Sequence, residues 1–415
     1  MKFFRLKNKT LLIIGLVWPE PKSSAAGTRM LQLIALFQKK GFAIVFASAA
    51  QESDFSYDLK SINVVTKKIV LNSNSFNDFI NELNPEIVLF DRFVIEEQFG
   101  WRVYENCPNA LRILDTEDLH SLRLTRQNAV KKNIAFELSD LLASDIAKRE
   151  IASVLRCDLS LIISEFEIKI LVETFKIDPN LLHYLPLSYD FILENELLDF
   201  HQKKDFVFIG NFLHEPNWDA VKQLKEKIWP EIRNQLPDAT MHIYGAYPSQ
   251  KVLQLHNKKE KFIIHGRAKN ANEVIVNAKI LLAPMRFGAG LKGKLLEAMQ
   301  AGTPSVTTNI GAEGIKGNYN WNGFVEDDFL AFISKAVLLY CEEAIWNESQ
   351  KNGFEILKNR FKSDLFENLF LDRVCFLQSN LENHRNLNFM GRLLLHHTAL
   401  STKYMSRWIE EKNRL

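Results

Sequence analysis

Short, continuous apolar runs, each followed by a loop and a helical pattern, constrain this sequence most. Leu11–Val17 is such a run, followed by a loop of Pro, Ser, Ala and Gly and a helix pattern from Thr28 to Lys40. Gly41 stops that pattern, and Ala43–Ala47 forms the next run. Glu86–Phe90, Leu111–Leu114 and Leu159–Ser164 repeat the theme, the first two ending at Asp91 and Asp115. Strands that are apolar throughout, rather than alternating, are buried on both faces. Separated by helices, they predict a mostly parallel sheet covered on both sides.

The rhythm breaks between Leu185 and about Lys204, where a Pro gives way to a polar, acidic stretch, and an interdomain linker is expected there. It restarts with Phe206–Ile209, Thr240–Tyr244, Phe262–His265, Ile280–Ala283 and Ser305–Thr308. After about Asp364 only helical, amphipathic sequence follows. At 415 residues the chain exceeds the usual single-domain size. The expected organisation is therefore an α/β chain of three parts. A Rossmann-like domain spans 1–200, a second spans 201–365, and a helical tail over 366–415 crosses back to the first. Doubly wound sheets bind ligands beyond the carboxyl ends of their strands, so the site is expected in the cleft between the halves.

Composition excludes several classes. A net charge of +2 is too balanced for binding nucleic acid by bulk electrostatics. Cys107, Cys157, Cys341 and Cys375 form no CxxC pair, which predicts neither a zinc site nor a disulfide framework and fits a reducing compartment. The amino-terminal basic and apolar residues lack a small-residue cleavage site and read as the first buried strand, not a signal peptide. No stretch approaches the roughly 20 apolar residues needed to span a bilayer. A cytoplasmic protein is expected, with attachment to the inner face of the membrane as the variant of that reading.

The segment from Ile280 to Thr308 carries the most chemistry. A strand ends at Pro284, a loop bears Gly288, Gly290 and Gly293, and a helix runs to Gln300 before Gly302 and Pro304 end it. Such a loop offers backbone N–H groups and the positive end of a helix dipole, which suits a diphosphate. Glycine lets phosphate oxygens approach without a Cβ in the way. Lys294 lies in the first turn, and Glu297 follows on the same face, where a carboxylate can accept from two vicinal ribose hydroxyls. A plain exposed Lys–Glu pair is the alternative; the glycine loop and the strand–loop–helix placement favour the ligand site.

On PMRFGAGLKGKLLEAMQAGTPSV, NIGAEGI (Asn309–Ile315), FIGNFLHEPNWDA (Phe208–Ala220) and the WPEI…LPDATMHIYG stretch ending at Gly245, the sequence resembles the retaining glycosyltransferases of family 4. The resemblance implies a GT-B fold and a nucleoside-diphosphate sugar as co-substrate, with no cofactor. No strong metal-ligand cluster stands in the sequence, so metal-independent transfer is expected. It places Lys294 on the donor diphosphate, Glu297 on the ribose, and Gly288, Gly290 and Leu291 in the donor loop. Arg286 would lie at the phosphate end of the cleft, and the Gly266–Arg267 loop would meet the base. Two features depart from the family. The position eight before Glu297 is Ala289 instead of a glutamate, so Glu313 or loop backbone would take over its contact. The Arg–Lys pair after the first strand of the second domain is replaced by Gly210-Asn211-Phe212-Leu213-His214-Glu215-Pro216-Asn217, with Arg286 supplying the charge.

Across the cleft, two loops are candidates for the acceptor side. Trp18–Gly27 precedes a helix carrying Arg29; it is either an anion-binding loop with Gly27 in it or a simple cap and turn. It is no dinucleotide fingerprint, which argues against a dehydrogenase. Leu114–Arg126 carries Asp115, Glu117, Asp118 and His120 beyond a strand. A histidine there, oriented by a carboxylate such as Asp118, can exchange a proton or bind a sugar hydroxyl, or it can merely pack. The resembled family implies that His120 approaches the transferred sugar. Arg123, Arg126, Lys131 and Lys132 follow on a helix that is either solvated or turned to anionic lipid or a phosphorylated acceptor. The tail around Leu393-Leu394-Leu395 and Trp408 admits the same two readings. The resulting expectation is transfer of a hexose-type sugar to a hydroxyl of a glycan or lipid-linked acceptor. A silent sugar-nucleotide-binding partner and a nucleotide-sugar epimerase are the rivals.

Overall fold

A computed structural model describes residues 9–189 and 198–414. Its first sheet has seven strands in the order β3-β2-β1-β4-β5-β6-β7. These are β1 Thr10–Gly15, β2 Ala43–Ser48, β3 Val65–Lys68, β4 Ile87–Asp91, β5 Leu111–Asp115, β6 Leu159–Ile162 and β7 Leu182–Tyr184. The second sheet has six, in the order β10-β9-β8-β11-β12-β13. They are β8 Lys204–Ile209, β9 Met241–Tyr244, β10 Phe262–Gly266, β11 Ala278–Ala283, β12 Ser305–Thr307 and β13 Gly323–Val325. Neighbouring strands pair in parallel in both sheets, for example Leu12 beside Val45 and Val88, and Leu281 beside Val207 and Ser305. The apolar runs of the sequence are the central strands: β1, β4, β5 and β11 are buried along their whole length. β3, β7 and β13, which the sequence reading did not anticipate, are edge strands of three or four residues with mixed side chains.

Both sheets wind outward from their first strand in both directions, so each has a switch point, between β1 and β4 in the first and between β8 and β11 in the second. The loops leaving these strands diverge there and open a crevice. Part of the expected linker, residues 190–197, lies outside the described residues, as does the segment 1–8. The second domain closes around one core that includes Phe206, Trp229, Leu281, Leu296 and Trp346. The first has a core on each face of its sheet.

The tail packs on the first domain. Phe370, Leu371, Val374 and Leu377 of the helix Glu367–Ser379 join the core of β1, β2 and the helix Ala25–Lys39. Arg385 then clasps Asp158 with two hydrogen bonds of 2.7 Å. The last helix, Phe389–Arg414, lies against the helices Phe93–Asn106 and Asp145–Arg156.

Candidate functional site

The glycine loop is built as a strand–loop–helix unit. Thr307 and Thr308 donate from their hydroxyls to the Ala283 and Met285 carbonyls at 2.7 and 2.5 Å, fixing where the chain leaves β11. The helix that follows spans Gly293–Gln300. Gly290 has a φ of +61°, a left-handed conformation that costs little only for glycine. A Cβ at Gly293 would stand 2.8 Å from the Ala25 Cβ, so this helix start meets the start of the first-domain helix Ala25–Lys39 across the cleft. Two positive dipole ends therefore border one space.

Lys294 sits over the Phe208 ring at 3.9 Å and donates to Asn217 Oδ1 at 2.6 Å. Burial pulls its ammonium down to about 7, while Glu297 opposes the shift. Glu297 is itself raised by burial, with Lys294 opposing. Gly210, beyond β8, makes room for this arrangement: a Cβ there would lie 2.8 Å from the Lys294 Nζ and 2.7 Å from the Asn217 side chain.

On the first-domain side, Asp118 is held by Arg123 at 2.7 Å and lies 3.3 Å from His120 Nε2. Burial raises the Asp118 carboxyl, but Arg123 and His120 outweigh it and leave it well below the usual carboxylate range. Burial pushes His120 down to about 4, against the pull of Asp118, so the ring is neutral at physiological pH. The helix it opens is capped from a distance by Glu150, which accepts from the His120 and Ser121 amides at 2.9 and 3.0 Å. His214 approaches from the second domain: burial lowers it to about 4, and Arg123, Asp118 and His120 all act on it. Glu117 has a φ of +64° and a buried carboxyl oxygen, Oε1, with no hydrogen-bond partner among the described residues. Burial first, then Asp115, holds its pKa well above the usual range.

These groups line one cleft of about 630 Å³, within the range of sites for small ligands. It gathers Gly27, Glu117, Asp118 and His120 with Gly288, Leu291, Lys294 and Glu297. Arg123, one of the basic helix residues considered for a phosphorylated acceptor, also lines it, as do Arg92, His214 and Asn217, for which the sequence predicts no role. His214 and Asn217 stood in the loop that replaces the family's Arg–Lys pair, the one signal that pointed to them.

The structure places five groups otherwise than expected. Arg286 lies outside the cleft lining, paired with Asp219, because the chain turns its side chain back toward the helix Glu215–Gln223. Asp115 does not reach the cleft; it is fully buried and binds Arg29 through contacts of 2.7 to 3.0 Å. The Gly290 amide, expected to face a diphosphate, donates to Glu167 Oε1 at 2.7 Å. Of the Gly266–Arg267 pair only Arg267 lines the cleft, and its guanidinium packs over Phe55 at 4.0 Å and donates to Ser23 at 3.2 Å. Gly266 instead accepts from the Gly245 amide at 2.8 Å. Glu313, expected to take over a sugar contact, is occupied by two 2.8 Å hydrogen bonds from Arg126, which also donates to the Gly288 carbonyl at 2.9 Å. Among the described residues no group of three or more His, Cys, Asp or Glu is arranged to hold a metal ion.

Residues 203–341 match the family model described as glycosyl transferases group 1, the segment that contains the glycine loop and most of the resembling motifs. A curated relative, an "uncharacterized 44.6 kDa protein in cps region" of Klebsiella pneumoniae, is 23% identical over 45% of this chain and 50% of its own length. Among solved structures, a mutant of S. aureus TarM with UDP, alpha-GlcNAc-glycerol and Fondaparinux aligns with a TM-score of 0.57 at 13% identity, over 72% of this chain and 57% of that chain. The chain thus spans about half the length of these first relatives. The pneumococcal O-GlcNAc transferase GtfA, in complex with UDP and GlcNAc, aligns with a TM-score of 0.65 at 13% identity, over 89% of this chain and 99% of that one. At such identities the likeness concerns the fold: the two facing sheets are those of GT-B glycosyltransferases.

Proposed function

We propose, from a chain whose second domain is that of the group 1 glycosyltransferases, that it moves a hexose from a nucleoside-diphosphate sugar to a hydroxyl of a glycan or lipid-linked acceptor. The observation that carries the proposal is the placement of Lys294 and Glu297 in one cleft with His120 and Asp118, at the facing switch points of the two sheets. UDP in the complexes of the two structural relatives makes UDP-sugars the first donors to test.

In this reading the diphosphate lies at the two helix starts, with Lys294 beside it. A bound dianion restores the full charge that burial takes from the lysine. As the bond from the anomeric carbon to the diphosphate oxygen breaks, that charge is stabilised by groups already oriented, the largest kind of catalytic contribution. The acceptor oxygen bonds to the same carbon, and its proton passes to the departing diphosphate. Attack from the leaving group's face retains the anomeric configuration and requires no protein nucleophile. Neutral His120, oriented by Asp118, binds a hydroxyl of the transferred sugar. Arg126 and Glu167 hold the loop against the first domain and keep water out while the donor is activated. A lipid-linked acceptor places the enzyme on the inner face of the membrane.

Lys294→Ala is expected to lower turnover about 10²–10³-fold, and Glu297→Ala to raise the donor KM, both with an unchanged circular dichroism spectrum. Release of nucleoside diphosphate by the purified protein measures both. Near-normal turnover in the two variants sinks the assignment. Ala289 favours a second reading, a silent sugar-nucleotide binder, for which the same protein would bind the diphosphate and release none.

A further inference from the structure

The last helix, Phe389–Arg414, turns much of its apolar surface outward. Its packed side carries Leu395 together with small and polar groups: a Cβ at Gly391 would stand 2.1 Å from the Leu155 carbonyl oxygen, so the helix fits tightly there. Ser406 is buried and accepts from Arg102 at 3.0 Å, and buried Glu410 pairs with the same guanidinium. The outward side is apolar. Phe389 is 67% exposed, Tyr404 64% and Trp408 61%, with Met390, Leu393 and Leu400 exposed between them. At 3.6 residues per turn these six fall within an arc of roughly 100°, in a stripe about 28 Å long. Water-exposed apolar stripes of this length are rare on monomers and mark an interaction surface.

Charge selects the partner. The helix carries five Lys and Arg against two Glu; Glu410 is turned inward, and Glu411 stands beside Lys412 just beyond Trp408. By helical spacing Arg407 and Arg392 follow one edge of the stripe, beside Lys403, which pairs with Glu105, and Lys412 continues the other edge. A second copy laid along it would bring basic edges together, which disfavours self-pairing. An anionic surface meets apolar centre and basic rims at once. Tyr404 and Trp408, rings with a polar tip, suit the boundary between headgroups and acyl chains. The helix Leu138–Ala143 packs on the same Asp145–Arg156 helix as the tail, and it exposes Leu138 and Leu142 just beyond Lys131 and Lys132. No described helix is long and apolar enough to cross a membrane.

We infer that the outward face of Phe389–Arg414 docks the protein onto anionic lipid, lying in the plane of the interface. The inference rests on the membrane placement proposed above and gives it a location; it does not depend on the transfer chemistry.

Flotation of the full chain with vesicles tests it. With phosphatidylglycerol mixed into phosphatidylcholine, binding is expected to be at least about tenfold tighter than to phosphatidylcholine alone and to weaken with salt. The triple variant Leu393→Ser, Tyr404→Ser, Trp408→Ser is expected to lose at least about tenfold of that binding, with melting temperature and release of diphosphate unchanged. No flotation of the wild type, equal flotation of the variant, or a dimer in light scattering that the variant converts to monomer would each overturn the inference. Vesicle binding by a protein that releases no diphosphate would instead count against the transferase reading and leave this one standing.

Discussion

Lys294 is a cleft group whose charge changes near neutral pH. Its pKa of about 7 means that the empty site loses positive charge as pH rises from below neutrality, since a lysine with a lowered pKa is charged only beneath that value. Binding of a diphosphate is therefore expected to be tightest near pH 6 and to weaken by up to about tenfold per pH unit above 7. Calorimetry with UDP from pH 6 to 9 checks this, and Lys294→Arg should flatten the profile. Residue by residue, local context in the sequence picked out groups that the fold brings into one cleft. Lys294 and Glu297 follow a glycine loop, and His120 opens a helix just beyond a strand among carboxylates. Glu150 and Glu167 were not legible, nor were the partners of Arg126 and the cleft position of His214, because each meets a segment distant along the chain. Arg286 shows the converse: chemically suitable and close in sequence, it pairs with Asp219, a contact the sequence does not foretell.

At the scale of elements, the helix Gly293–Gln300 is fixed at both ends by other parts of the structure. Its far end is met by Lys203, a buried lysine that donates to the Ala301 carbonyl at 2.9 Å and to the Thr303 hydroxyl at 2.6 Å. A cation there complements the negative end of the dipole, although burial draws its pKa down to about 7. Lys203→Met leaves the Ala301 carbonyl without this donor and is expected to cost roughly 1–3 kcal/mol, seen as a lower urea midpoint, together with weaker donor binding. The central strands were readable because both of their faces are buried, which forces unbroken apolar runs. β3, β7 and β13 need satisfy only one neighbour and one covered face, so three or four mixed residues suffice and no periodic signal forms.

For the whole molecule, the described contacts bring the two halves together through the glycine loop. Arg126 reaches across to Gly288 and Glu313, Glu167 to Gly290, and on the opposite rim Tyr247 reaches Glu20 at 2.8 Å. Arg126→Ala removes two partners at once and is expected to open the molecule. Small-angle scattering should show a larger radius of gyration, and hydrolysis of donor relative to transfer should rise several-fold as water enters. The two-domain plan could be read from the repeated strand rhythm, but the way the halves meet could not, because these pairs join residues 123 to 227 positions apart. Gly290 lies at that junction, and the place of its absent Cβ is only 2.9 Å from the Asp118 Cβ. One methyl group at this position would wedge the halves apart, so how closely they approach here depends on a side chain that is not there.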